Sequence, residues 1–337
     1  MEGAGVEKMA DAILNTGGSI NSGGKVRTFL GRLARLIGQF LRLKKSKKKT
    51  VSKGRRPARE KLEADDETAA DSFEPATLWS PERLNVIEKL WGEGCISPGS
   101  AEFLRVTLPL LGLSEKKSLL MLGAGLGGLG RAMVDETGVW VTGLEADEEL
   151  AGLGKDMTKM AGMQKRAPVT LGNLEQPKLK ENSFNAVVSL ESLYRVAAKE
   201  QLYTAMAAAL RGDGELMMTD LVKANDEPLN DIMNAWAGRE PTPPHLWTAD
   251  AIQSFMKTLN LDVRPYQDIT APYRANIFKG FFNYLSGVTK PELLEISGDL
   301  INECEYWAKQ LTAIDSGGLK VYRFHAIKLP DKRKSAF

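Results

Sequence analysis

Ser118-Leu119-Leu120-Met121-Leu122-Gly123-Ala124-Gly125-Leu126-Gly127-Gly128-Leu129-Gly130 is a short apolar run that stops abruptly in glycines. Its length and lack of alternation predict a parallel strand buried on both faces, followed by a tight turn and the start of a helix. Glycines at 123, 125, 127 and 128 let the backbone approach a ligand closely, and the unpaired N–H groups of the following helix suit a carboxylate or phosphate. The next apolar run, residues 139–145, ends in Glu145, 22 residues after Gly123. A carboxylate at the end of a second parallel strand can accept both hydroxyls of a ribose, so the βαβ context predicts a nucleotide ligand over a merely structural turn. The pattern alone does not choose the cofactor, because Gly123, Gly125 and Gly128 also satisfy the G-x-G-x-x-G of dinucleotide enzymes.

Further strands are predicted at 168–171, 184–189 and 215–219, alternating with helices at 147–163, 199–210 and 248–259. A strand at 261–269, a 40-residue helical stretch from Pro272 and an alternating strand at 319–329 follow. This order is an α/β fold that closes on a hairpin strand. Phe278, Phe281, Phe282, Tyr284 and Leu285 read as packing within the long helical stretch, with a lid over a pocket as the alternative. His245 and His325 are the only histidines, and Cys95 and Cys304 have no Cys-x-x-Cys neighbour, so neither a zinc site nor a disulfide framework is expected. A reducing, cytoplasmic setting is the natural expectation.

The chain has 337 residues and 36.9 kDa, with 43% apolar and 26% charged residues, an ordinary globular composition that excludes a wholly disordered or collagen-like chain. Its net charge of +2 hides an asymmetry: residues 25–61 carry 15 of the 45 Lys and Arg against one acid, Glu60. Residues 62–337 hold 29 basic and 39 acidic side chains, a net of −10. Within the basic stretch, Val26, Phe29, Leu30, Leu33, Leu36, Ile37, Phe40 and Leu41 recur with helical spacing. Arg27, Arg32, Arg35 and Arg42 interrupt that face, and each would cost roughly 2.5–3.5 kcal/mol at a bilayer centre, so a membrane-spanning segment is not expected.

The resulting segments are a flexible 1–24, a basic amphipathic helix at 25–43, a basic then acidic linker at 44–77 without periodicity, a folded body at 78–330 and a tail at 331–337. Helix and lysine run together suit peripheral contact with an anionic membrane, at the inner face for a cytoplasmic protein. A helix packed on the body or on a protein partner is the alternative. Nucleic acid is not expected, since no aromatics interleave with the lysines to stack bases.

The order of elements over roughly residues 80–330 resembles the class I S-adenosylmethionine (SAM) dependent methyltransferases. That resemblance implies a Rossmann-like seven-stranded sheet with an antiparallel last strand, plus helical insertions. Its most specific part is Leu90-Trp91-Gly92-Glu93-Gly94-Cys95-Ile96-Ser97-Pro98-Gly99-Ser100, which resembles the F/W-G-x-G-x-x-S-x-G-G segment of the phosphoethanolamine, sarcosine and sterol methyltransferase group. Residues 184–191 resemble that group's F-D-x-V-x-S-x-E strand, and residues 210–216 its L-x-P-G-G-x-L turn.

Carried over residue by residue, the resemblance puts Gly123, Ala124, Gly125, Gly127 and Gly128 around the methionine part of SAM and Glu145 on its ribose. It places Gly172, Asn173 and Leu174 at the adenine, Ser189, Leu190 and Glu191 on the floor, and Ser97 at the cofactor carboxylate. Met121, Asn173 and Asn185 stand where the group has acids, and Ile87 and Arg195 stand where its phosphoethanolamine members have a Tyr–His dyad. Tyr194 and Arg195, after the fourth strand, are the candidate catalytic residues; Asp220 and His245 are the candidate substrate residues, because ligands bind at the ends of parallel strands. The implied activity is methyl transfer from SAM to a small amine or lipid-like acceptor. A degenerate methyltransferase-fold module for interaction or scaffolding is the alternative, and a nicotinamide oxidoreductase the third reading.

Overall fold

The apolar run at 118–122 becomes a central strand with partners on both edges. The computed structural model describes residues 78–289, 292 and 297–330. Its strands are β1 (Ser118–Leu122), β2 (Trp140–Glu145), β3 (Val169–Leu171), β4 (Phe184–Leu190), β5 (Leu210–Lys223), β6 (Leu261–Val263), β7 (Gln267–Asp268) and β8 (Leu319–Lys328). Their order is β3-β2-β1-β4-β5-β8-β6, with β7 also on β8. Strands β1 to β5 pair in parallel, and β8 runs antiparallel to β5. The predicted strand at 261–269 is broken in two because Pro265 has no N–H for the ladder. Both pieces lie on the same edge of β8, so the sheet has the seven strand positions expected, with antiparallel pairing at its end. The strand predicted at 215–219 extends to Lys223, because β8 pairs with it from Glu215 to Lys223.

The helices are α1 (Pro81–Trp91), α2 (Gly128–Thr137), α3 (Glu148–Met160), α4 (Lys199–Ala209), α5 (Asp231–Ala237), α6 (Ala249–Lys257), α7 (Thr270–Gly287) and α8 (Ser297–Asp315). Several start at side-chain caps: Ser80, Asp147, Asn230 and Thr248 each accept a backbone N–H from the first turn. The long helical stretch divides into α7 and α8, and Val288 leaves the helix with ψ 134° after Gly287.

One sheet face buries Leu120, Leu122, Val187 and Met218 under α4 and α6. The opposite face buries Met121, Val188 and Met217 under α2 and the irregular helical segment 100–111. Each fully buried Leu, Val or Met here contributes about 1.5–3 kcal/mol of hydrophobic free energy. A third cluster joins α1, α5, α7 and α8 into a cap beside the carboxyl ends of the parallel strands. Trp91 is its pivot, edge-on to Phe281 at 5.8 Å and to Trp307 at 4.9 Å. Gly280 lets α7 cross α1, since a Cβ there would strike the Trp91 ring. Phe281 is packing, as the sequence suggested, whereas Phe282 is exposed. Segments 1–24, 25–43, 44–77 and 331–337 lie outside the described residues. Among the described residues no helix is long and apolar enough to cross a membrane.

Candidate active site

The chain passes from β1 to α2 through Gly123, Gly125 and Gly127 at φ 70°, 54° and 77°, a backbone region where a Cβ is strained. Glu145, at the end of β2, holds this turn. Its Oε2 accepts the Gly125 N–H at 2.6 Å, and its Oε1 accepts those of Ala146 and Asp147 at 2.8 and 3.0 Å. Three of the carboxylate's roughly four lone-pair sites are thus used, and one is left. Gly128 donates its N–H to Gly94 O at 2.9 Å, and a Cβ on Gly128 would meet the Glu93 carbonyl. The glycine loop is therefore locked to the Trp91–Ser100 segment that precedes the sheet.

A cavity of about 1070 Å³ opens between this turn, the carboxyl ends of β1 to β4 and the cap. It is at the upper end of the roughly 300–1,000 Å³ typical of small-molecule sites. Of the residues singled out in the sequence, Ile87, Ser97, Met121, Gly123, Ala124, Glu145, Gly172, Asn173, Leu174, Leu190, Glu191, Tyr194 and Arg195 line it. Gly125, Gly127 and Gly128 lie behind the wall and shape the turn. Ser189 also lies behind it, fully buried, with Oγ donating to Leu122 O at 3.0 Å to join β4 to β1. Asn173 Oδ1 accepts the N–H groups of Glu175 and Gln176, an Asx turn that sets the loop after β3.

Glu191 follows β4 with φ 46°, a left-handed conformation that is uncommon for a residue with a Cβ. Its backbone N–H is held by Thr219 O at 2.8 Å, while Ser97 Oγ donates to Oε2 at 2.5 Å and Thr219 Oγ1 to Oε1 at 2.8 Å. Burial pushes its carboxyl up to about 7, against the lowering effect of those two hydroxyls. A Cβ at Gly99 would overlap the carboxylate as it is held, so the glycine leaves room for it. Ser97 thus spends its hydroxyl proton on Glu191.

Tyr194 and Arg195 meet a partner that sequence reasoning missed. The Tyr194 hydroxyl donates to Glu240 Oε2 at 2.7 Å, Arg195 Nε and Nη2 reach the same oxygen at 3.1 and 2.9 Å, and the Tyr306 hydroxyl donates to Oε1 at 2.7 Å. Glu240 has no exposed side-chain surface. Burial holds the Tyr194 hydroxyl well above its ordinary pKa, so it is a fixed donor and offers no base. This hub joins the loop after β4, the loop after α5 and helix α8 into one wall of the cavity.

Neither candidate substrate residue reaches the cavity. Side chains alternate along β5: Thr219 reaches Glu191 and Leu221 lines the cavity, so Asp220, between them, faces the α4 side. There its Oδ1 accepts the Tyr194 N–H at 3.1 Å, and burial pushes its carboxyl up to about 6 against the opposing charge of buried Lys199. His245 is exposed, and its backbone N–H donates to Tyr194 O at 2.7 Å. Both residues support the loop that carries Tyr194.

The cap supplies the remaining wall. Trp79 Nε1 donates to Asp147 Oδ2 at 3.0 Å, Arg83 stacks 5.0 Å from the Trp79 ring and pairs with Glu303 at 2.8 Å, and Trp307 Nε1 donates to Glu303 Oε2 at 3.1 Å. Tyr273 and Gln310 close the inner end. Their only sequence signal was a charged or amide residue interrupting an apolar helix face, as Glu303 and Gln310 do around Cys304, Trp307 and Leu311.

Known proteins match this arrangement. Residues 100–289 match the model of the mycolic acid cyclopropane synthetase family. A sterol 24-C-methyltransferase of Gibberella zeae is 27% identical over 34% of this chain and 32% of its own length. A glycine/sarcosine/dimethylglycine N-methyltransferase of Actinopolyspora halophila is 25% identical over 36% of this chain and 21% of its own. The matched stretches thus span a third or less of these curated relatives. The structure of Haemonchus contortus phosphoethanolamine N-methyltransferase 2 in complex with S-adenosyl-L-methionine superposes with a TM-score of 0.58 at 18% identity, covering 73% of this chain and 57% of the other. With the glycine turn, the acid that ends β2 and the antiparallel last strand in place, the family match over more than half the chain assigns this protein to the mycolic acid cyclopropane synthetase family of class I SAM-dependent methyltransferases.

Proposed function

We propose that this protein transfers a methyl group from SAM to a small amine, free or carried on a lipid-like headgroup, with Glu191 as the proton acceptor. Gly123 and Ala124 would hold the methionine part of SAM, the unused lone pair of Glu145 a ribose hydroxyl, and Asn173 with Leu174 the adenine. These residues fit: all five line one cavity, and Glu145 keeps one acceptor site open beyond its three backbone bonds. Bound SAM supplies an electrophilic methyl on a sulfonium, which passes to nitrogen and leaves S-adenosylhomocysteine.

The observation that carries the amine reading is Glu191. An amine arrives at neutral pH as an ammonium without a lone pair, so a base must take one proton before nitrogen can react. A carboxyl that titrates at about 7 inside the cavity matches that task. The N–H bond breaks, the Glu191 O–H bond forms, and the nitrogen pair is freed. Tyr194 and Arg195, both bonded to Glu240, orient the wall instead of moving protons.

Calorimetric titration with SAM and with NADH, followed by a methyl-release assay over amines and phospholipids, tests this reading. SAM binding with methyl release to an amine is expected. Absence of SAM binding at millimolar ligand would end it. SAM binding without release to any acceptor would favour the interaction-module reading, which Met121 motivates: it is buried among apolar side chains where the family has an acid organising the loop. The basic helix and lysine run at 25–61 would bring the enzyme to an anionic membrane surface, where a headgroup acceptor resides.

A further inference from the structure

Thr219, on β5, holds Glu191 at two points. Its carbonyl accepts the Glu191 backbone N–H at 2.8 Å, and its hydroxyl donates to Glu191 Oε1 at 2.8 Å. The first bond fixes a residue whose φ of 46° is uncommon for one with a Cβ, and the second fixes the carboxyl that this turn presents. Strand pairing steadies the anchor, since Thr219 lies between Leu190 of β4 and Arg323 of β8. Ser97 holds the other oxygen, Oε2, at 2.5 Å, but Ser97 itself lines the cavity. Thr219 is buried and is not among the lining residues.

A hydroxyl that donates to a carboxylate favours its charged form and fixes its orientation, and an acceptor of a substrate proton needs both. Burial acts most strongly on the Glu191 carboxyl and pushes it up; the Ser97 and then the Thr219 hydroxyl pull it down, and the Asp220 charge on β5 pushes it up again. The Gly99 backbone also lowers it, and Tyr273 of α7 faces it with a hydroxyl that burial, then the Glu191 charge, keeps protonated. None of these groups is a cation, so hydrogen-bond donors supply the opposition to burial. We infer that Thr219 is a positioning residue, whose hydroxyl holds Glu191 as a charged and aimed proton acceptor without itself touching the substrate. The inference rests on the amine reading above and assigns the group that readies its base.

Thr219→Val removes the hydroxyl, keeps the shape and leaves the backbone bond to Glu191 in place. Two measurements on the full-length protein follow the result. Infrared difference titration reads the C=O stretch of the protonated Glu191 carboxyl, identified by its loss in Glu191→Gln, and needs neither SAM nor acceptor. The acid limb of kcat/KM against pH, with ethanolamine or the best amine of the methyl-release assay, reads the same group through the reaction. Both midpoints should rise by about one pH unit or more in Thr219→Val, as loss of a hydrogen bond to a charged group requires. Thr219→Ser, which keeps a hydroxyl, should hold both near the wild-type values. Thermal melting identifies the folded variants, and Thr219→Ala carries the same expectation where the Val variant does not fold.

Unchanged midpoints in a folded variant without the hydroxyl, even with a lower rate or melting temperature, overturn the role of Thr219 and leave the amine reading intact. Midpoints raised as far in Thr219→Ser also overturn it, because the hydroxyl would not be the cause. An infrared midpoint that rises without the kinetic one removes Glu191 as the base and overturns both readings. Protein that binds SAM and methylates no amine overturns the amine reading, and the positioning role with it, whatever the infrared titration shows.

Discussion

Replacing Glu191 by Gln should stabilise the fold near pH 8 and change it little near pH 5. The carboxyl titrates at about 7 in the folded chain against an ordinary value of 4.5, because burial disfavours its charge. A folded-state pKa raised above the unfolded one means that the native protein binds more protons through this window. Stability from this group is therefore fully present below about pH 4.5 and is lost as pH rises toward 7. The gap of about 2.5 units, at about 1.36 kcal/mol each, sets the full effect at about 3 kcal/mol, with under about 1 kcal/mol lost by pH 5. A glutamine at this position would carry no charge, and the Ser97 and Thr219 hydroxyls can rotate to meet its amide. Urea unfolding of wild type and Glu191→Gln at both pH values measures the difference directly. Methyl transfer in the same variant should fall at least a hundredfold, the usual contribution of a positioned base. A stability difference that is the same at both pH values would refute the claim that Glu191 is held desolvated for proton transfer.

Glu240→Ala should cost about 3–5 kcal/mol in urea unfolding, because it leaves Arg195 and two buried tyrosine hydroxyls without their shared partner. Gly128→Ala should cost about 1–3 kcal/mol and weaken SAM binding in titration, since the added methyl drives into the Glu93 and Gly94 backbone. Residues 25–61 should confer co-sedimentation with anionic vesicles that fades at high salt, and their deletion should leave SAM binding unchanged. Within that segment, Phe40→Asp should weaken insertion with little change in salt dependence, whereas replacing Lys47, Lys48 and Lys49 by Gln should do the reverse; equal, negligible pelleting in every condition would remove the membrane from the proposal.

Local chemistry was legible in the chain wherever one stretch carried its own constraint. The apolar run of β1, the glycines after it, Glu145 at the end of β2 and the alternation of β8 each follow from short-range rules of burial, turn geometry and period, and together they set the fold and the glycine-turn side of the cavity. Pro265 showed the limit of reading by period, since one missing N–H divides a strand that the apolar pattern leaves continuous. The cap side depended on contacts between residues far apart in sequence. Arg83 meets Glu303 and Tyr194 meets Glu240, which also holds Tyr306, only because the cap helices close over the strand ends. Asp220 lay at a strand end like a ligand residue, yet alternation along β5 turned it to the other face, and Glu191, read as floor, became the buried titrating group. Turn and strand preferences are written into neighbouring residues, whereas burial, and the proton affinity that burial alters, exist only once distant segments exclude water from the same place.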